Sequence, residues 1–501
     1  MSLCDISFTS NLQKREEKEV KKALGLLPAL LLCATYLSAT PCIPIPIPGD
    51  NTKVLRDCIA TATTSDKVVD IGGPFSITDQ IIVTSGVKLR TSGTYWGGEM
   101  NINFGQGYPN TDGGHAAFVL TDYSAVDGLT FFYPAQTKGK RLIEFPPTIS
   151  VVGSFCRVVN CFFPNSYVGI DATMPHGKLN VENIEFGIFY RGIRDDQCYD
   201  IDKFNIIHGN PGMWATWVDD TDVVDWMYNN SALFEVSRID WLYMNMTFAW
   251  GVKYGLLINS SQHGSVGDAQ IIQAGCDACQ YGIYSNLTGN SWPWLITISN
   301  FSGTAFNPTG GKGDGTGIYL AHVHGVNISN SNFWGVRNDG IYLEDCSSVS
   351  VSGNTFADNG WNTARNRFAA IRLVNCRRAS VVGNTGTSND GTSYAVRIEG
   401  GSNISIFANQ FEVPGASVSI EGVINVTALG NGCVQDFGND PTNRIDVSCF
   451  GDPAYTPTPM STHTPTPTPT PTGNPGDPTP TPTPTVLPTR IPKEKPGLPL
   501  R

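Results

Sequence analysis

The chain has 501 residues, 53 of them glycine and 33 proline, and only 15% are charged. Its formal net charge of −11 excludes a nucleic-acid partner, because phosphate binding wants a basic face and no basic stripe crosses the body. Such a length fits two or three ordinary domains or one long repetitive one.

The first feature in chain order is "KREEKEVKK" followed by the apolar run "ALGLLPALLLCATYLSA" at 23–39. A charged flank, a short apolar core and a small-residue exit are the parts of a secretory signal peptide, so residues 1–40 read as a leader and the protein as secreted or displayed at the cell surface. The run sits at the lower limit for spanning a bilayer and contains Pro28, which makes an uncleaved anchor the weaker alternative. Cys4 and Cys33 of the 13 cysteines fall in this leader, and export permits disulfides among the others. Two pairs are close in sequence, Cys156/Cys161 and Cys276/Cys279. The second, "CDAC", has no companion pair at zinc-finger spacing and reads as a local disulfide or as two buried thiols.

The stretch "GDNTKVLRDCIATATT" predicts a cap helix at 50–62, capped by Asn51 or Thr52, with Val54, Leu55, Cys58 and Ile59 on its apolar face. Strands follow at "VVDI", "QIIVT" and "VKLRT", divided by Gly and Pro. The remaining body, to about residue 450, is short β-branched strands with no second helix expected. "FEVSRIDWLYMNMTF" reads as strand for its aromatic and β-branched content. From 452 to 501 the Thr-Pro tract "TPTPMSTHTPTPTPTPTGNPG" has almost nothing apolar to bury, and reads as an extended stalk or linker that suits O-glycans.

The body, 45–450, repeats. "VGIDA", "RGIRDD", "YGLLIN", "YGIYSN", "TGIYLA", "DGIYLE", "AAIRLV", "YAVRIE" and "ASVSIE" recur at spacings of 22 to 35 residues, with one gap of 63 between the second and third. That gap is large enough for one more coil plus an insertion near 209–230, around "WVDDTDVVDW". Units of this length, each holding several short strands, are the rungs of a parallel β-helix. The side-chain period of 2 turns Ile341 and Leu343 inward and Tyr342 and Glu344 outward. Asn354, Asn384, Asn409 and Asn431, in "SGNT", "VGNT", "FANQ" and "LGNG", fall at one corner. Their amides stack at the ~4.8 Å strand spacing, and asparagine tolerates the left-handed backbone a sharp corner needs. Cys346 over Cys376 reads as a stacked apolar pair at another corner.

With "VVDIGGPFSITDQIIVTSGVKLRTSG", "VDGLTFFYPAQ", "FNIIHGNPGMW" and "QIIQAGCDACQYGI", the chain resembles the right-handed parallel β-helix proteins of the pectate-lyase-like superfamily. The nearest branch is the pectate-lyase-superfamily or polygalacturonase-related one, which includes phage tailspikes. The resemblance implies an all-β, single-stranded right-handed solenoid and a polysaccharide partner, and a trimer if tailspike-like. It does not fix a reaction, because the superfamily holds lyases, hydrolases, epimerases and binding proteins. Asn110-Thr111-Asp112, Asp219-Asp220 and His263-Gly264 echo polygalacturonase motifs at the wrong spacing, no "RIK" follows, and the pectate-lyase "RxPxxR" is missing. Neither mechanism carries over residue by residue.

The outward stripe supplies the candidates. Tyr284, Tyr319 and Tyr342 are followed by Arg372 and Arg397, with Glu344, Glu399 and Glu421 two residues further along the strands. Aromatic faces stack on sugar rings and Arg pairs with uronate, although such ladders also stabilise solenoid faces. Rung spacing puts Glu399 ~5 Å from Glu421 and ~10 Å from Glu344, which bracket retaining and inverting glycosidase geometry. A lyase would use Tyr342 with Arg372 instead. A second candidate groups Arg194, Asp196, His208, Asp219 and Asp220 with Trp214 and Trp217 around the insertion. Its acidic run is either a cation site, with Ca2+ in view, or a solvated loop. The expected function is cleavage of an acidic, uronate-containing polysaccharide by lyase or glycosidase chemistry; the alternative is a non-catalytic carbohydrate-binding adhesin.

Overall fold

The computed structural model describes residues 40–42, 49–64, 67–91, 98–103, 116–136, 142–187, 189–210, 221–287, 293–305, 315–359, 368–387, 394–412, 417–431, 434–436 and 442–445. Each turn of the chain lays down three short strand runs, as in Ile341–Glu344, Ser347–Ser352 and Thr355–Ala357, before Ala369–Val374 begins the next. Successive turns pair in parallel: Tyr342 with Arg372, Val349 with Ala379, Thr355 with Thr385. The first run of each turn builds a sheet of 14 strands, and the other two build one of 26; they are called the smaller and larger sheets below. The protein is a right-handed parallel β-helix, as the repeat predicts.

Alternation fills the interior. Ile341, Leu343, Ile371, Leu373, Val396 and Ile398 are fully buried, while Tyr342, Arg372 and Arg397 turn outward. A second inner column is aromatic: Phe301, Phe333 and Phe356 stack with ring centroids 5.6 and 5.0 Å apart. The Gly of the recurrent Gly-Ile dipeptide exists for this column. A Cβ on Gly317 would stand 2.5 Å from the Gly340 carbonyl and 2.7 Å from the Phe333 ring, so any side chain there would push the turns apart.

The asparagine column forms a continuous buried chain. The N–H and Nδ2 of Asn354 both donate to Asn384 Oδ1, at 3.0 and 2.9 Å, and the same bonds run from Asn384 to Asn409 and from Asn409 to Asn431. Each Nδ2 also donates to a carbonyl of the preceding turn. The left-handed backbone belongs to the residue before each asparagine: Gly353, Gly383, Ala408 and Gly430 have φ between 52° and 65°. Asparagine is needed here for its two-sided amide rather than for its backbone tolerance.

Helix α1, Thr52–Thr64, caps the first turn with Leu55, Ile59 and Ala62 buried. Asn51 stands at the N-cap, its carbonyl accepting the Leu55 N–H, while the Asp50 carboxylate accepts the Thr52 N–H and the Asn51 amide donates to the Gly49 carbonyl. Cys58 is disulfide-bonded to Cys42 in the strand Thr40–Cys42, which pairs with Val69–Ile71, so the β-helix begins ahead of residue 45. Cys276 and Cys279 form the local disulfide, whereas Cys156, Cys161, Cys198, Cys346 and Cys376 are buried free thiols. The long gap does hold one further turn, Ala232–Val236, preceded by an unexpected helix α2 at Thr221–Asn230. Its Val223 and Met227 are buried, and Trp226 packs 6.2 and 6.4 Å from Tyr167 and Tyr190. No helix among the described residues is long and apolar enough to cross a membrane.

Candidate functional site

The outward column on the smaller sheet runs Asp171, Arg194, Glu235, Leu257, Tyr284, Tyr319, Tyr342, Arg372, Arg397, Ser419 in continuous register. Glu235 fills the turn that the sequence gap concealed. The column is half-buried rather than freely exposed, and Asp171, Leu257 and Ser419 are buried. Tyr284, Tyr319 and Tyr342 stack on one another, with centroids 4.9 and 4.8 Å apart and planes 18° and 9° from parallel. Their faces are therefore largely used within the ladder, and Arg372 lies 5.2 Å from the Tyr342 ring. The hydroxyls of Tyr319 and Tyr342 both donate to Glu344 Oε2, at 3.0 and 3.2 Å. Burial, with Glu344 beside them, pushes both phenols far above their ordinary range. A Tyr342 base for a lyase step is not what this arrangement offers.

Glu399 and Glu421 are paired neighbours, and Glu344 is two strands from Glu399 across Val374, as the register predicts. They are not two free carboxyls. Glu399 Oε1 accepts from Arg372 Nε and lies 2.7 Å from Arg397 Nε, while Oε2 accepts from Arg372. Glu421 is largely exposed, and Arg397 reaches it only at 3.8 Å. Burial lowers the Arg372 affinity for its proton, but Glu399 and Asp339 more than reverse this.

Asp339, not singled out in the sequence, is the most perturbed carboxyl of this face. It is 3% exposed, accepts the Ala369 N–H at 2.7 Å, and its Oδ2 lies 3.9 Å from Arg372. Burial outweighs both interactions and lifts its pKa to about 7. It precedes Gly340, where the glycine interrupts the alternation, so the period of 2 could not assign it to a face. Arg372 thus touches one carboxylate held by two arginines and one that titrates near neutrality, a combination suited to proton transfer.

The second candidate does not assemble as one group. Arg194 pairs with Asp171 at 3.2 Å. Asp196 accepts from the Gln197 and Arg238 backbone and the Ser261 hydroxyl, fixing a turn. His208 belongs to the larger sheet, with Nδ1 2.9 Å from Glu185. Asp219, Asp220, Trp214 and Trp217 lie outside the described residues.

Where the chain leaves the smaller sheet for the larger one, an open groove of about 820 Å3 is lined by His322, His324, Asp345, Arg377, Arg378 and Asn403, among others. His322 and Asp345 occupy left-handed corners at φ 59° and 50°. Trp294, 71% exposed, stacks on His324 at 5.4 Å. Two arginines and two histidines face one carboxylate on a chain of net charge −11. The Arg377-Arg378 dipeptide is visible in sequence, but only the winding of the solenoid brings His322, His324 and Trp294 beside it.

These features define a right-handed parallel β-helix with a charged lateral face. In sequence, residues 228–411 match the family described as "Right handed beta helix region". No curated protein matches the chain. Pre-mature gene product 12 of bacteriophage phi29 is similar in structure: 16% identity, 79% of this chain and 56% of that one covered, TM-score 0.55. Its N-terminal fragment aligns at 14% identity over 81% of this chain and 71% of that one, TM-score 0.55. Tailspike protein 3 of bacteriophage CBA120 aligns at 12% identity, over 81% of this chain and 60% of that one, with a TM-score of 0.43. The chain thus spans little more than half of the first of these proteins, and the likeness concerns the fold alone.

Proposed function

We propose that the protein acts outside the cell on an acidic, uronate-containing polysaccharide: the corner groove binds the chain, and lyase or glycosidase chemistry falls to Asp339 and Arg372, which lie on the smaller sheet outside the groove lining. The observation that carries this reading is the groove itself: Arg377, Arg378, His322 and His324 gathered beside an exposed Trp294 on an acidic chain. Guanidinium groups pair with carboxylates in bidentate fashion, and an exposed indole gives a sugar ring a stacking surface. The self-stacked tyrosine column offers less of either. Arg372 and Arg397 already hold Glu399, so a uronate reaching them shares or displaces that contact. Asp339 supplies a carboxyl that exchanges its proton near neutral pH.

A non-catalytic carbohydrate-binding adhesin is the second reading, favoured by the saturation of Glu399 and Glu344 with internal partners. The test is binding and product analysis with polygalacturonate, alginate and a neutral glucan. Acidic chains should bind in a salt-sensitive manner, and Arg377→Glu with Arg378→Glu should weaken binding about tenfold or more. Equal affinity for the neutral glucan, or an unaffected double variant, overturns the groove assignment. Asp339→Asn should spare binding and abolish new reducing ends or unsaturated products. Binding by the parent without any product leaves the adhesin.

A further inference from the structure

Inside the solenoid, two carboxylates interrupt columns that are otherwise apolar at this level. Asp195, 1% exposed, is paired with Ala172 and Val236 on the turns either side. Asp202, fully buried, is paired with Leu242. His176 bridges Cys198, which pairs in turn with Ile239, so imidazole, thiol and both carboxylates meet at one inner corner. Burying two carboxylates in an apolar column is costly unless a cation compensates them.

Protonated His176 is one such cation, and its contacts mark the place a metal ion would take. His176 Nδ1 is 2.8 Å from the Met174 carbonyl, which can only accept, so Nδ1 carries the hydrogen. Nε2 lies 3.0 Å from Asp202 Oδ2 and 3.4 Å from Asp195 Oδ1, so in the metal-free chain it carries a proton that both carboxylates hold. A metal ion replacing that proton would find one nitrogen and two carboxylate oxygens converging on one point. Asp202 Oδ1 takes the Leu179 N–H, leaving Oδ2 for the convergence, and neither oxygen of Asp195 has a hydrogen-bond partner. Ligand atoms of His176, Cys198 and Asp202 lie within 4.8 Å of one another.

We propose that His176 Nε2, Cys198 Sγ, Asp202 Oδ2 and Asp195 Oδ1 bind a divalent cation of the zinc class within the β-helix. The Cys198 thiolate and the Asp202 carboxylate neutralise the 2+ charge, the imidazole adds a nitrogen, and Asp195 supplies the fourth donor through Oδ1 while keeping a proton on its other oxygen. This mixed set suits zinc or cobalt and not calcium or magnesium, which take oxygen ligands. Donation of Nδ1–H to a backbone carbonyl is the usual way a ligating histidine is oriented. Tetrahedral zinc distances imply donor separations of about 3.3–3.8 Å, so Asp202 moves slightly away from His176, now 3.0 Å away, and Cys198 already lies within 4.8 Å of both. The corner is closed to solvent, so the ion enters as the chain folds, and binding contributes to folding.

The test refolds the full chain from denaturant with Zn2+, with Co2+, or with a chelator. After dialysis, elemental analysis should find close to one zinc per chain, and the chelated sample should melt several degrees lower. The cobalt form should show an intense thiolate-to-metal absorption that Cys198→Ser abolishes. That near-isosteric change keeps the fold measurable by circular dichroism even where Asp202→Asn does not refold. Substoichiometric metal in the parent with equal melting in all three samples overturns the proposal and leaves a proton-held ion pair. An undiminished cobalt band in Cys198→Ser also overturns it, by assigning the metal to another thiol.

Discussion

Replacing Asp339 by Asn isolates the most unusual carboxyl of the outer face. Asn stays neutral at every pH, and its oxygen can still accept the Ala369 N–H. At about 1.4 kcal/mol per tenfold change in proton affinity, a carboxyl lifted from 3.8 to about 7 carries about 4 kcal/mol of pH-linked stability. Because the fold favours the protonated form, that contribution is complete below about pH 3.8, declines as pH rises, and is gone above about pH 7. The parent should therefore lose stability across this window relative to Asp339→Asn, with the difference approaching 4 kcal/mol as an upper bound. Urea unfolding of both proteins at about pH 4.5 and pH 8 measures it, each pair being compared at one pH so that other carboxylates cancel. A difference that changes by less than about 0.5 kcal/mol between the two pH values would mean that Asp339 is already ionised in the acid range. The burial argument, and the proton-transfer role built on it, would then fail.

Two further outcomes follow from the fold. Asn384→Ala deprives the Asn354 N–H and the Val351 carbonyl of their buried partners, at about 1–3 kcal/mol each, and should lower unfolding free energy by about 2–6 kcal/mol; a loss under about 1 kcal/mol would show the corner relaxing around water. Deleting residues 452–501 should leave the melting temperature and any activity unchanged, whereas removing 50–62 uncovers the first turn and should produce aggregates by size-exclusion chromatography.

Local chemistry made much of this molecule legible from its sequence. The period of 2 in "GIYLED", the spacing of the Gly-Ile copies and the recurrent Gly-Asn corners depend only on neighbours along the strand and on one repeated turn. They gave the solenoid, the inward and outward sets, the register of Tyr342 on Arg372 and the asparagine column. Helix α2 was hidden because its apolar residues sit beside the acidic run "WVDDTDVVDW" and become a buried face only against the turns carrying Tyr167 and Tyr190.

What the outward side chains do to one another was decided by the tertiary structure. The sequence places tyrosines, arginines and glutamates on one stripe, but stacking at 4.8 Å turns the rings onto each other and Glu399 onto two guanidinium groups. Titration likewise depends on burial and on contacts between turns: Asp339 rises to about 7 because the next turn covers it. The groove of Arg377, Arg378, His322 and His324 and the interior meeting of His176, Asp195, Cys198 and Asp202 join residues from different turns. A repeat fixes which residue lies above which. The distances between charged groups at the corners, and the water excluded from them, come only from the winding of the chain.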